Sequence, residues 1–583
     1  MFLRWLVSSG YVSIQRQWIV VGSCCAGRIQ CFAIFIRVAA FVGALGLGVT
    51  CRAGFKQFGL AMIQSNSHWA NDLIRRARLL GFLVLILLSL SARSRATEVI
   101  LVCPGNFGKA IEPWVDLRTA EGLSVRTIES ELSAVAVRDR VAQIATDKTK
   151  YILLIGDVPV IGSKCDPSLE VPSFYSKTGV TAKWGSTPTL CTDYPYGDLD
   201  QNGEVEIAVG RLPVDRPEQL RNWINRLIIK EHSTDFGQWR TSVQLVGGVG
   251  GFGFLADQAI ESAARTIVTG VLPAQVRTHV LYGSPGHRFY PSDEPFTEAV
   301  LNQYSKGARF WVYAGHGQVT KLDRVPQNED GVPVLDRRSV RRLKCEPGRA
   351  PIALMLACYT GALDAAEDSL AEHLLFTEGG PIAVIAGSRV TMPYGNAALS
   401  VGLIKSIYQR RPARLGDAWL EAQRGAYKAT AGKADSARVM IDGLATLLSP
   451  AGSTLVEERR EHLQLYGLLG DPTQRLRHAQ RIELEVAPGH DQGDPLKVIA
   501  NSSVEGDLTL RVDFPLGASV GENPNETLVS QLEHAVQADL PLKLSVPVPV
   551  GTAGPMVIRA YAVNGEQFAV GSARTIIRKE SNE

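Results

Sequence analysis

From Val99 onward the chain repeats one unit, a short apolar run followed by a segment of helical period, and few folds accommodate that repetition. Val99–Val102 and Tyr151–Ile155 are apolar throughout rather than alternating, the pattern of parallel strands covered on both faces. Between them, Ile111–Glu121 and Val135–Thr146 read as helices and Ser124–Ile128 as a strand. After the polar, Pro/Gly-rich stretch Gly162–Asn202 come a strand, Glu206–Gly210, and a helix from Pro217 to Glu231 with Asp215 as its N-cap. The series restarts after Trp239. Strands are expected at Ser242–Val246, Val276–Tyr282, Ala308–Tyr313, Ile352–Ala357 and Ile382–Ala386. Helices are expected at Leu255–Val268, Phe296–Tyr304, Ser369–Phe376, Ala397–Gln409 and Ala413–Thr430. Repeated β-α units predict a doubly wound α/β sheet, here in two subdomains (97–235 and 236–478), with chemistry at the carboxyl ends of the strands. Beyond Gly470-Asp471-Pro472 the pattern changes to alternating strands such as Ile482–Val486, Leu508–Val512 and Met556–Ala562. Residues 479–583 therefore read as a small β-sandwich of immunoglobulin-like size.

The amino-terminal part follows a different grammar. Residues 1–96 hold eleven Lys/Arg and one acid, Asp72, whereas the remainder carries 50 basic and 57 acidic side chains. That net-acidic body has no clustered basic face of the kind nucleic acids require. Arg75, Arg76 and Arg78 precede the apolar run Leu79–Leu88, and Ser94 and Ala96 stand at the −3 and −1 positions of a cleavage site. This is the layout of a signal peptide, and the run is shorter than the ~20 residues that span a bilayer. Residues 62–96, starting at Met62, are read as the leader and 1–61 as a doubtful upstream extension. The protein is expected outside the cytoplasm (secreted, periplasmic or on the cell surface) with no stable membrane span once the leader is cut. The exported part keeps five cysteines, Cys103, Cys165, Cys191, Cys345 and Cys358, so at least one is unpaired within the chain. No C-x-x-C pair or His-rich cluster suggests zinc.

Two residues stand where this fold concentrates chemistry. His316 follows the strand Phe310-Trp311-Val312-Tyr313 between Gly315 and Gly317, and Cys358 follows Ala353–Ala357. A thiol is a poor nucleophile at neutral pH until a neighbouring imidazole takes its proton. Gly317 leaves a backbone N–H open to the oxyanion of a tetrahedral intermediate. Each residue alone has a bland reading, a buried small hydrophobe for Cys358 and a loop-shaping ring for His316. At the ends of adjacent strands they read as one device.

"FWVYAGHG" and "IALMLACYTG" resemble the paired signature of caspase-like cysteine peptidases, and the nearer likeness is to the gingipain family. "YILLIGD" (151–157), "EVEIAVGRLPV" (204–214), "GGPIAVIAGS" (379–388) and "LLGDP" (468–472) follow in the family's order. The resemblance implies a caspase-like fold with an immunoglobulin-like domain after it. It also implies His316 as base, Cys358 as nucleophile, and an oxyanion hole from the N–H groups of Gly317 and Cys358. The expected function is an exported cysteine endopeptidase acting on protein or peptide substrates and requiring no cofactor. Processing or transpeptidation of surface proteins by the same dyad is the alternative, and a non-catalytic surface-binding protein is the third reading. Two departures stand out. No room for a prosegment lies between Ala96 and Val99, and the acid that assists the histidine has no counterpart in Gly247–Gly253. The third catalytic member is therefore unassigned.

Asp257, near the start of its helix, resembles in placement the family's acid at the base of the specificity pocket, implying cleavage after Arg or Lys. Favouring the helix amino terminus is its bland alternative, and Arg389 selecting an acidic residue is the rival. Asp198, Asp200 and Asn202 have the D-x-D-x-N-G spacing of a calcium loop without its usual distal Glu. A structural calcium ion and a plain acidic turn both fit. Gly247–Gly253 matches neither G-x-G-x-x-G nor a P-loop, so nucleotide binding is disfavoured.

Overall fold

Successive residues of the first strand enter different cores, Val99 and Leu101 one and Ile100 and Val102 the other. Both faces are thus covered, and this is why the run has no polar alternation. The computed structural model describes residues 96–251, 253–427, 436–448, 454–518 and 523–579. The extension 1–61 and the leader as far as Arg95 lie outside them. Among the described residues, no helix is long and apolar enough to cross a membrane.

Ten strands form the main sheet: β1 (Glu98–Val102), β2 (Ser124–Ile128), β3 (Thr149–Ile155), β4 (Ala208–Leu212), β5 (Ser242–Gly247), β6 (Arg277–Tyr282), β7 (Phe310–Ala314), β8 (Ile352–Leu356), β9 (Ala383–Gly387) and β10 (Tyr466–Leu469). Their order is β2-β1-β3-β4-β10-β9-β8-β7-β5-β6. Every pairing is parallel except β9 with β10. The sheet is therefore two parallel halves that run in opposite directions and meet at that one antiparallel seam. The expected two series correspond to these halves, with a correction. The first half is completed by β10, which comes from the end of the second series and was read from sequence only as part of a loop motif. One core runs under both halves, including Val99, Trp223, Trp311, Ala383 and Leu469.

Most expected elements fall within two or three residues of their observed ends. The strand read at Glu206–Gly210 is shifted by two residues, to Ala208–Leu212, and the helix read at Ala397–Gln409 begins four residues earlier, at Pro393. Helices Ser436–Leu448 and Leu455–Leu465 were not anticipated. Nor is Asp215 an N-cap. The helix Pro217–His232 starts from Arg216 without a side-chain cap, and the Asp215 N–H donates to Gln219 Oε1 (2.9 Å).

The carboxyl-terminal region is all β, as expected. Seven of its eight strands hydrogen-bond in one continuous path, the eighth (Gly489–Asp491) pairs beside Phe568–Arg578, and a separate core includes Ile482, Leu508 and Ile558. It covers the exposed edge of β6. The side-chain amide of Asn525 accepts from the N–H of Val280 (2.8 Å) and donates to its carbonyl (2.9 Å), satisfying groups an edge strand leaves open.

A buried ion cluster fastens the seam strand to the first half. Arg118, fully buried on the helix Gly108–Ala120, pairs with Asp471 just past β10 (2.7 Å) and with Glu231 (2.7 Å). Trp114 Nε1 donates to the same Asp471 carboxylate (2.6 Å). Removing one partner from such a cluster leaves the others buried and uncompensated. Arg118→Ala should therefore lower the unfolding free energy by about 3–5 kcal/mol, read from urea titrations.

Candidate active site

Strands β7 and β8 pair residue for residue, ending with Ala314 opposite Leu356. His316 and Cys358 each lie two residues past that last pair, on neighbouring parallel strands and at the same sheet edge. Both are half-buried. Their loops touch through Gly317, where a Cβ would come within 2.7 Å of the Cys358 carbonyl oxygen and 2.8 Å of Ala357 Cβ. Only glycine permits that approach.

Cys358 sits on a tight turn. Tyr359 has φ of +59°, a left-handed conformation that side-chain-bearing residues seldom adopt and that clusters at functional sites. The turn is pinned by the Tyr359 N–H to the Arg389 carbonyl (3.0 Å) and the Gly361 N–H to the Gly387 carbonyl (2.9 Å). The Thr391 N–H donates to Cys358 Sγ at 3.3 Å. Thr391 lies just ahead of the helix Pro393–Lys405, whose first turn is satisfied by side chains of the helix Leu455–Leu465. His462 Nε2 accepts from the Met392 N–H (2.7 Å) and Glu458 Oε1 from the Gly395 N–H (3.1 Å). Burial lowers His462 to about 4, so it is neutral and able to accept. A chain of side chains, Tyr466 to Asn396 to Thr391, runs beneath the thiol (2.7 and 3.2 Å). The other four described thiols are held protonated by burial, Cys103 at about 12, Cys165 and Cys345 at about 11, and Cys191 higher still.

An acid missed in the sequence organises the histidine side. Asp323 Oδ2 accepts from the backbone N–H groups of His316 (3.1 Å) and Val249 (3.1 Å) and from the Tyr313 hydroxyl (3.1 Å). That hydroxyl's one proton is shared between Asp323 and the His316 carbonyl (2.8 Å), and burial beside Asp323 raises the phenol well above its ordinary range. Gly248 and Gly315 make the room, since a Cβ on either would collide with Asp323 Oδ2 or the Tyr313 hydroxyl. Of the 247–253 run, Gly248 thus serves close packing against this carboxylate. Asp323 lies in a loop without periodicity, and no pattern in the sequence marked it.

Asp257 Oδ2 accepts from the Gly251 N–H (3.1 Å), and a Cβ on Gly251 would lie 3.9 Å from His316 Nε2. Asp257 is therefore near the histidine ring, separated from it by one glycine. Glu261, one turn on, pairs with Arg265 (3.2 Å) and His287 (3.7 Å). Arg389 is committed elsewhere. It is buried and makes a bidentate pair with Asp364 (2.9 and 2.6 Å), which removes it as a receptor for an acidic substrate side chain.

Asp198 and Asp200 lie within 4.8 Å of Glu206, a third carboxylate the loop spacing did not include. Asn202 Oδ1 accepts from the Glu204 N–H (2.7 Å) and Asn202 Nδ2 donates to Asp200 (2.9 Å), so the Asn202 side chain closes the turn.

A sequence model described as Peptidase family C25 matches residues 92–477, well over half of the chain. No curated protein matches. Among solved structures, the Arg specific cysteine proteinase gingipain R (RgpB) is 14% identical, with 83% of this chain and 98% of that one covered and a TM-score of 0.48. The complex of Porphyromonas gingivalis RgpB pro- and mature domains is also 14% identical, covering 83% and 100% at 0.48. Dimeric latent PorU from the same organism is 14% identical, covering 83% and 43% at 0.28.

Because Gly317 is where the two loops meet, Gly317→Ala should cost about 1–3 kcal/mol through overpacking. Iodoacetamide should also modify Cys358 of that variant at a rate different from wild type, read by peptide mapping, while the Cys103 rate stays unchanged.

Proposed function

The chain belongs to peptidase family C25, a family of cysteine peptidases, and on that premise we propose that it is an endopeptidase with Cys358 as nucleophile and His316 as general base. The observation that carries this reading is the register of β7 and β8, with both residues two positions past the Ala314–Leu356 pair. In the proposed cycle His316 takes the Cys358 proton and Sγ attacks the scissile carbonyl carbon. The oxyanion forms against the N–H groups of Gly317 and Cys358. Collapse expels the amine, which takes its proton from the imidazolium and leaves a thioester on Cys358. Water, deprotonated by His316, then attacks the thioester and releases the acid. Asp323 acts through the backbone, holding the His316 loop and Val249 together. Processing or transpeptidation would use the same first half, with a second amine replacing water.

The finer architecture proposed is a caspase-like α/β body of two subdomains followed by an immunoglobulin-like β-sandwich. Export by the leader 62–96 completes the reading, and amino-terminal sequencing of exported protein should find Thr97 first. For Asp198, Asp200 and Glu206 we propose a structural calcium site, since three converging carboxylates suit a hard cation. A calcium-dependent rise in melting temperature that Asp198→Asn abolishes is its test, and an unchanged melting temperature rejects it.

Cys358→Ala and His316→Ala should each lower kcat/KM by at least about 10⁴-fold with folding retained, and the double variant should be no worse than either single. Turnover by Cys358→Ala at the wild-type rate refutes the dyad. Cleavage after Arg or Lys is proposed through Asp257, whose half-buried carboxylate would pair with the substrate cation. On fluorogenic substrates ending in Arg, Lys, Asp and Leu, Asp257→Asn should reduce the Arg preference about 10–100-fold. An Arg preference left intact by that change assigns Asp257 to the helix start alone.

A further inference from the structure

A cavity lined by none of the residues around Cys358 lies where the carboxyl-terminal β region meets β6, the sheet's edge strand, and has a volume of about 650 Å³. Five cationic side chains line it, Arg277, Lys306, Arg511, Arg559 and Arg574, together with His279, and no acid is among the lining residues. The neighbouring carboxylate is Asp513, fully buried and shared between Arg511 (2.9 Å) and Arg559 (2.9 Å). One negative charge thus faces two of the guanidinium groups. Among the described residues Arg277 hydrogen-bonds to the neutral Gln238 Oε1 (3.3 Å) and Lys306 to the neutral Gln303 Oε1 (3.1 Å). His279 Nδ1 is buried with no hydrogen-bond partner among the described residues. The remaining wall mixes neutral polar side chains, Thr278, Asn525 and Thr527 among them, with an apolar part to which Leu272, Val276 and Met556 contribute.

Like charges converge in this way at a cost, unless something of opposite sign spends time among them. We propose that this cavity is a binding site for a small organic anion, an oxyanion headgroup (phosphate or carboxylate) carried on a short apolar body. The volume is within the range of small-molecule sites, and guanidinium groups recognise such headgroups through paired N–H donors. Burial, with Lys306 and Arg277 beside it, depresses His279 to about 4, so its ring is neutral at physiological pH and adds a hydrogen bond without adding charge. Because half of the wall comes from the β region, an occupant would also tie that region to the sheet.

The test is calorimetric titration of the full chain with inorganic phosphate, hexyl phosphate, hexanoate and, as a charge control, hexyltrimethylammonium. Hexyl phosphate or hexanoate should bind more tightly than inorganic phosphate, and the cation not at all. The hexyl phosphate and hexanoate arms distinguish which headgroup is preferred. Arg277→Gln and the exposed-rim variant Arg574→Gln should each weaken the preferred anion by about tenfold or more, whereas Cys358→Ala should leave binding unchanged. Arg574→Gln guards against a folding defect in the half-buried Arg277 variant. Absence of binding by all three anions, or equal affinity in both Arg variants and wild type, overturns the proposal. Binding of inorganic phosphate as tightly as hexyl phosphate overturns the apolar part of it.

Discussion

Phe310 to Ala314 lie opposite Ile352 to Leu356 one for one, and the juxtaposition of His316 and Cys358 at this sheet edge depends on that register. A strand shifted by one residue turns every side chain to the other face. Here a slip would send Trp311 and Met355, both buried, toward surfaces shaped for their neighbours, so the core enforces the alignment. The alignment in turn brings the loops after the two strands together. Gly317 then closes the distance, because its missing Cβ lets the backbone after the histidine rest on the carbonyl of Cys358.

The rest of the site consists of polar groups that hold those loops. On the histidine side a single carboxylate, Asp323, gathers two backbone N–H groups and a phenol, and it fits only because Gly248 and Gly315 carry no side chains. On the cysteine side the amino terminus of the helix Pro393–Lys405 is satisfied by His462 and Glu458. Those two residues sit on the helix Leu455–Leu465, which leads directly into the seam strand β10. The seam and the Cys358 loop are therefore one mechanical unit, and Arg118 anchors its far end through Asp471.

Much of this was readable in advance. Long apolar runs such as Tyr151–Ile155 and Ile382–Ala386 announce buried parallel strands because burial on both faces removes the polar alternation. His316 and Cys358 were legible for the same reason, since they follow such runs directly. What escaped was short or aperiodic. Tyr466–Leu469 is four residues long, too few to show a period, so the antiparallel seam and the true membership of the first half-sheet were hidden. Asp323 accepts from backbone N–H groups seven and 74 residues away, a relation no local pattern encodes. Glu206 joins Asp198 and Asp200 only after the chain turns. The helix Leu455–Leu465 had a signal that was passed over, the capping box of Thr454 with Glu457. Arg389 shows the converse error, a charged residue at the right sheet edge whose partner, Asp364, is already in place.

The central claim is that Cys358 carries the acyl group of a cleaved peptide. Acid-quenched mass spectrometry of wild-type protein mixed briefly with an activated ester of a short Arg-containing peptide measures it directly. The account predicts a mass increase equal to one peptidyl group, mapped to the tryptic fragment containing Cys358 and released by hydroxylamine. An adduct on any other residue, or peptide cleavage at the wild-type rate after Cys358 has been blocked, would contradict it.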